Sequence, residues 1–98
     1  MNRPPHMTRE SAETMAIQAL SFLAEDAERL ERFLSLTGLT AQTLRTAAGE
    51  PHFLHAVLEH LANDEPLLRT FAEQSDIDPS TVAAAREQLA GGRRPAPP

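Results

Sequence analysis

Three acidic residues stand directly before prolines, at Glu50-Pro51, Glu65-Pro66 and Asp78-Pro79, and each pair heads a stretch with helical apolar spacing. Proline fixes φ near the helical value and lacks the amide hydrogen that would go unpaired in a helix's first turn. The acid before it can accept a bond from the free first-turn amides and opposes the positive end of the helix dipole. The prolines recur at intervals of 15 and 13 residues, which leaves room only for short helices with tight corners. This pattern constrains architecture and carries no chemistry of its own.

The rest of the chain reads the same way. Thr8 is an N-cap, and Ala12, Met15, Ala16, Ala19, Leu20 and Leu23 recur at three-four spacing as one apolar stripe. Ile17 and Phe22 widen the stripe, so this first helix is expected to be covered on two sides and to run to about Ala24. The apolar phase changes at Asp26, which caps a second helix with Leu30, Phe33, Leu34 and Thr37 inward, although neither Gly nor Pro marks the break. Glu25–Arg29 and Glu28–Arg32 are spaced as i,i+4 ion pairs on its wet side. Gly38 supplies a left-handed stop, Thr40 caps a short helix from Ala41 to Ala48, and Gly49 ends it. The three proline-headed helices follow, and Val82, Ala85 and Leu89 point inward from the last. Phe22, Phe33, Phe53 and Phe71 fall one on each of the longer middle segments and are expected to meet in one core. No segment alternates with period two. The expected fold is all-α, a compact orthogonal bundle of five or six short helices without strands. Residues 8–90 form a single domain, residues 1–7 read as a disordered leader, and residues 91–98 read as a disordered Gly/Arg/Pro tail.

Ninety-eight residues allow one domain. A folded body of roughly 80 residues buries about 60–65% of its unfolded surface, enough for a core but shallow for a substrate cavity. Cysteine is absent, which excludes disulfides, thiolate metal sites and cysteine nucleophiles. No run approaches the ~18 apolar residues of a membrane span, and no secretory core precedes the first helix, so the expected address is the cytoplasm and no membrane partner is expected. All nine basic residues are arginine; between Thr8 and Ala90 six of them face fourteen carboxylates, a formal charge of about −8. Such a body repels nucleic acid and anionic lipid at long range.

Three constellations bear on function. His52, His55 and Glu59 share an arc of the helix opposite Phe53, Leu54, Val57 and Leu61, and imidazole with carboxylate at one-turn spacing can hold a divalent ion. No fourth ligand is placed to complete a structural site, and the plainer reading is a wet polar face; His60 lies too far round to join. Residues 33–47 are spaced like a helix-turn-helix, with Gly38 in the turn and Leu39, Leu44 and Ala47 inward. Thr40, Gln42, Thr43, Arg45 and Thr46 would then face a DNA groove. That second helix is short, carries a single positive charge, and has no basic cluster nearby to supply phosphate contacts. Catalysis finds no phosphate loop, nucleophile elbow or HExxH, and no cofactor is implied. The class left standing is a protein-interaction module that is not an enzyme and works with an unknown protein partner. Leu36 and the edge around His60 are its candidate contacts, and the helix-turn-helix regulator is the alternative.

The stretches AIQALSFLAEDAERLERFLSLTGL and LRTAAGEPHFLHAVLEHLANDEPLLRTFAEQSDIDP resemble a family of small uncharacterised helical proteins of alphaproteobacteria, known as a domain of unknown function. The resemblance runs from Ala12 to Ala90 and is carried most by Ala19-Leu20-Ser21-Phe22-Leu23, Leu44-Arg45 and Phe53-Leu54 with Val57-Leu58. It implies the helical fold and supplies no catalytic or binding residue. An arginine-only basic composition agrees with a GC-rich bacterial source.

Overall fold

A computed structural model describes residues 7–47 and 50–91 and gives six helices: α1 (Arg9–Ala24), α2 (Ala27–Thr37), α3 (Ala41–Ala47), α4 (Pro51–Ala62), α5 (Glu65–Ser75) and α6 (Pro79–Gly91). No strand occurs among the described residues. The expected stops at Ala48 and Gly49, and most of the leader and tail, lie outside them. Two boundaries shift by a residue. Met7, assigned to the leader, packs against the core, and Gly91, assigned to the tail, is the last residue of α6.

Caps decide where the helices begin. Thr8 accepts from the Ser11 amide at 3.0 Å. Asp26 leaves the helical region (φ −128°, ψ 118°) and its Oδ1 accepts from the amides of Glu28 at 2.9 Å and Arg29 at 3.4 Å, so α1 and α2 are separate without Gly or Pro. Arg29 closes this corner from the other side. Its guanidinium lies 4.2 Å from the Phe22 ring centroid and donates to the Phe22 carbonyl at 3.4 Å, where a cation meets the negative end of α1. The expected Glu25–Arg29 and Glu28–Arg32 pairs are not formed; Arg29 instead approaches Asp26 at 4.0 Å, and Glu25 accepts from Gln74 of α5 at 2.9 Å.

The acid-proline pairs work less uniformly than their spacing predicts. Asp78 does what was expected, with Oδ1 accepting from the Ser80 amide at 2.9 Å and hydroxyl at 2.8 Å. Glu50 occupies the N-cap of α4 but makes no side-chain cap bond. At α5 the cap is Asp64, which accepts from the Leu67 amide at 3.2 Å; Glu65 and Pro66 are already inside the helix. Glutamate's extra methylene disfavours the short ring that aspartate closes onto first-turn amides.

Helix ends show the converse. Gly38 is left-handed at φ 76°, and its amide returns to the Leu34 carbonyl at 2.8 Å. Asp76 adopts the same conformation at φ 58°, and the following amide, from Ile77, bonds the Ala72 carbonyl at 2.9 Å. This closing motif seats Ile77 against the core.

Helices α1, α4 and α6 pack together most extensively, with α2 lying on α1 and α5 on α4. Ala12, Ala16 and Ala19 are fully buried, as are Val57, Leu58 and Leu61 of α4 and Val82, Ala85 and Leu89 of α6. The alanine stripe lets neighbouring backbones approach closely. All four phenylalanines lie buried in one core, as expected, where they make two ring pairs. Phe22 and Phe71 join α1 to α5 with centroids 5.2 Å apart, and Phe33 and Phe53 join α2 to α4 at 6.0 Å. Ile17, expected under a second layer, is half exposed: among the described residues nothing covers that flank of α1.

Candidate functional site

The polar face of α4 is divided, not shared. His52 is 65% exposed at the side chain and sits 3.9 Å from Glu50, at the helix entrance. His55 is only 15% exposed at the side chain, and its Nε2 lies 3.3 Å from Glu59 Oε1. The other oxygen of Glu59 faces Arg86 Nη1 of α6 at 3.8 Å. The face expected to be wet is thus half covered by α6, and a guanidinium stands beside the carboxylate that a metal would need. Among the described residues no group of three or more His, Asp or Glu side chains is placed to hold a metal ion.

The α2–α3 corner has the expected spacing. Gly38 turns the chain, and Leu39, Leu44 and Ala47 pack partly buried against the core. Helix α3 has seven residues, none fully buried. Thr40, Gln42, Thr43, Arg45 and Thr46 are all exposed. Three of their hydroxyls are engaged within the helix. Thr43 Oγ1 accepts from the Thr40 amide at 2.8 Å and Thr40 Oγ1 accepts from the Thr43 amide at 3.2 Å. Thr46 Oγ1 donates to the Gln42 carbonyl at 3.4 Å. These residues cap and close their own helix first.

A groove of about 330 Å³ opens between the C-terminal half of α2 and the α4–α5 corner. Arg32 and Leu36 form one wall; His60, Asp64, Glu65 and Pro66 belong to the other. Leu36 is 67% exposed, the most exposed large apolar side chain described. Opposite it, the His60 ring stands edge-on to Phe33 at a centroid distance of 5.1 Å. His60 Nε2 is buried and has no hydrogen-bond partner. Burial lowers the His60 pKa below its ordinary 6.5; Asp64 opposes that shift and Arg32 adds to it. The imidazole is therefore neutral near pH 7, an apolar edge with one unused nitrogen. Ile17 makes an instructive contrast. The hollow beside it is lined, among the described residues, by α1 alone, so no second described element shapes a site around it.

Leu36 and His60, proposed as contacts from the sequence, are thus brought to one groove. Arg32, Asp64, Glu65 and Pro66 were missed as a set, because Glu65 and Pro66 read as the head of a helix and Arg32 as the partner of Glu28.

These features define a class: a small, acidic, all-α domain with a mixed-charge groove between α2 and the α4–α5 corner. The chain belongs to the family described as Protein of unknown function (DUF3572), whose model matches residues 9–92 and so spans all six helices. The family resemblance read from the sequence is borne out at that level. No curated protein and no solved structure matches the chain. Among the described residues no helix is long and apolar enough to cross a membrane.

Proposed function

We propose that the chain is a small cytoplasmic protein-interaction module without catalytic activity of its own, and that it engages its protein partner through the α2/α4–α5 groove. One observation carries the reading: Leu36, exposed, lines a groove whose opposite wall holds the neutral imidazole of His60. Burying an isolated leucine on the partner side stabilises a complex by about 1.5–3 kcal/mol, the scale of an interface anchor. The acidic body disfavours nucleic acid as the occupant, and the polar groups of α3 are largely spent on its own cap.

A photo-crosslinking residue at position 36, with one at exposed position 84 of α6 as control, tests this in host lysate. Adducts specific to position 36 are expected; equal labelling at both positions, or none at 36, would overturn the reading. Backbone amide spectra with mixed-sequence duplex DNA at low salt test the alternative. Shifts on residues 40–47 that fade with salt would transfer the function to α3.

A further inference from the structure

The groove carries both signs of charge on opposite walls, and that bears on what fills it. Arg32 projects from α2, while Asp64 and Glu65 stand on the α4–α5 corner across the groove. No ion pair of Arg32 within 4.0 Å occurs among the described residues. Asp64 is anchored by its cap to the Leu67 amide, and Glu65 has only a loose, highly exposed approach from Arg69 at 3.8 Å. Leu36 lies on the same wall as Arg32, one helical turn further on, so that wall presents an apolar side chain beside its positive charge.

We infer that the occupant is a second copy of this chain, docked about a two-fold axis that runs through the groove between its two walls. This rests on the interaction reading above and names its partner. A two-fold interface must be self-complementary, because each surface meets itself. Rotation about an axis between the walls carries the Arg32 wall of one copy onto the Asp64/Glu65 wall of the other, and sets the two leucines against the groove edges formed by His60 and Pro66. A partner of a single charge sign would leave one wall facing like charge. The contact belongs to the small, exchanging kind, below the ~1,200 Å² of total area that stable complexes bury. The net negative charge of each copy adds repulsion at low salt, which physiological salt screens beyond ~8 Å.

A dilution series of backbone amide spectra at physiological salt, combined with mass measurement at the highest concentration, tests the inference. Amides of Arg32, Leu36, His60 and Glu65 are expected to move with concentration while the α6 amides stay fixed. Leu36→Glu and Arg32→Glu should each hold the spectrum at its dilute-limit positions. Arg32→Glu combined with Glu65→Arg should restore at least half of the concentration-dependent shift, which a general loss of stability could not do. Concentration-independent spectra with the mass of one chain would overturn self-association. The position-36 crosslink separates that failure from failure of the parent reading. An adduct of twice the chain mass supports the second copy, an adduct of another mass removes it but keeps the interaction module, and no adduct removes both.

Discussion

Replacing His60 by leucine is expected to make the protein more stable, although it deletes a polar side chain from a groove. The wild-type ring holds Nε2 away from water with nothing to bond. A buried polar atom left unpaired costs about 1–3 kcal/mol, and the lower end applies because His60 is only partly buried. Leucine has a similar volume and can occupy the space against Phe33, but it forfeits the edge-on ring contact at 5.1 Å, worth about 0.5 kcal/mol. The net gain is about 0.5–1 kcal/mol, or a rise of about 2–6 °C in Tm for a domain of this size.

The pH dependence gives the same substitution a second, independent reading. Folding lowers the His60 pKa below 6.5, so the unfolded chain binds the proton more tightly. Well above pH 6.5 neither state is protonated there, and the difference contributes nothing. As pH falls through the interval between 6.5 and the lowered folded value, wild-type stability drops, and His60→Leu escapes that part of the loss. The stability gap between variant and wild type should therefore be wider near pH 5.5 than near pH 8. Urea denaturation followed by far-ultraviolet circular dichroism is the suitable assay, since the chain has neither Trp nor Tyr. A variant less stable than wild type near pH 8 would refute the unpaired-nitrogen argument. A gap that is the same at both pH values would refute the burial argument.

Leu89→Ala removes a fully buried side chain of α6 and should cost about 2–5 kcal/mol; a loss under about 1 kcal/mol in urea would show that α6 does not seal the core. Gly38→Ala and Asp76→Gly should move in opposite directions, the first costing about 1–2 kcal/mol in left-handed strain and the second gaining up to about 1 kcal/mol. Nothing lies within 4 Å of a Cβ built at Gly38, so strain alone sets that cost, and Tm shifts of like sign would contradict the assignment of either stop. The Ser80 amide and hydroxyl hold the Asp78 carboxyl below its ordinary 3.8, so Asp78 favours the fold above that pH and ceases to as pH falls through the lowered value. Ser80→Ala should bring the Asp78 carboxyl titration, followed by carbon NMR, back toward 3.8; an unmoved midpoint would remove the hydroxyl from the account.

Local structure was largely legible because helix boundaries depend on residues within four positions of one another. Thr8, Asp26, Gly38 and Asp78 act where their side chains and φ preferences place them. Failures at the same level have local causes too. Glu50 has the charge of a cap without its short reach, and at α5 the effective cap stands one residue earlier, at Asp64. Asp76 takes a left-handed turn that only glycine or asparagine would have advertised. The error at Ile17 is of another kind. Periodicity defines the apolar width of a helix but not how many neighbours arrive to cover it, and among the described residues none reaches Ile17 of α1.

The groove is harder to read for the same reason, compounded. Its walls come from residues 32–36 and 60–66, brought together because the Phe33–Phe53 pair fixes α2 against α4 and the Asp64 cap bends the chain into α5. Net charge adds along a chain and is known before folding; the placement of Arg32 across from Asp64 and Glu65 is a vector that exists only afterwards. A formal body charge of about −8 by itself argues against two copies meeting. The fold counters this locally by setting one of its few arginines beside its most exposed leucine and directing two carboxylates across from both. Whether the apolar and short-range ionic contacts outweigh long-range repulsion therefore turns on ionic strength. Association that strengthens from low to physiological salt, and weakens again well above it, would show that both terms act at this groove; a monotonic fall from the lowest salt would show that the ion pairs alone govern it.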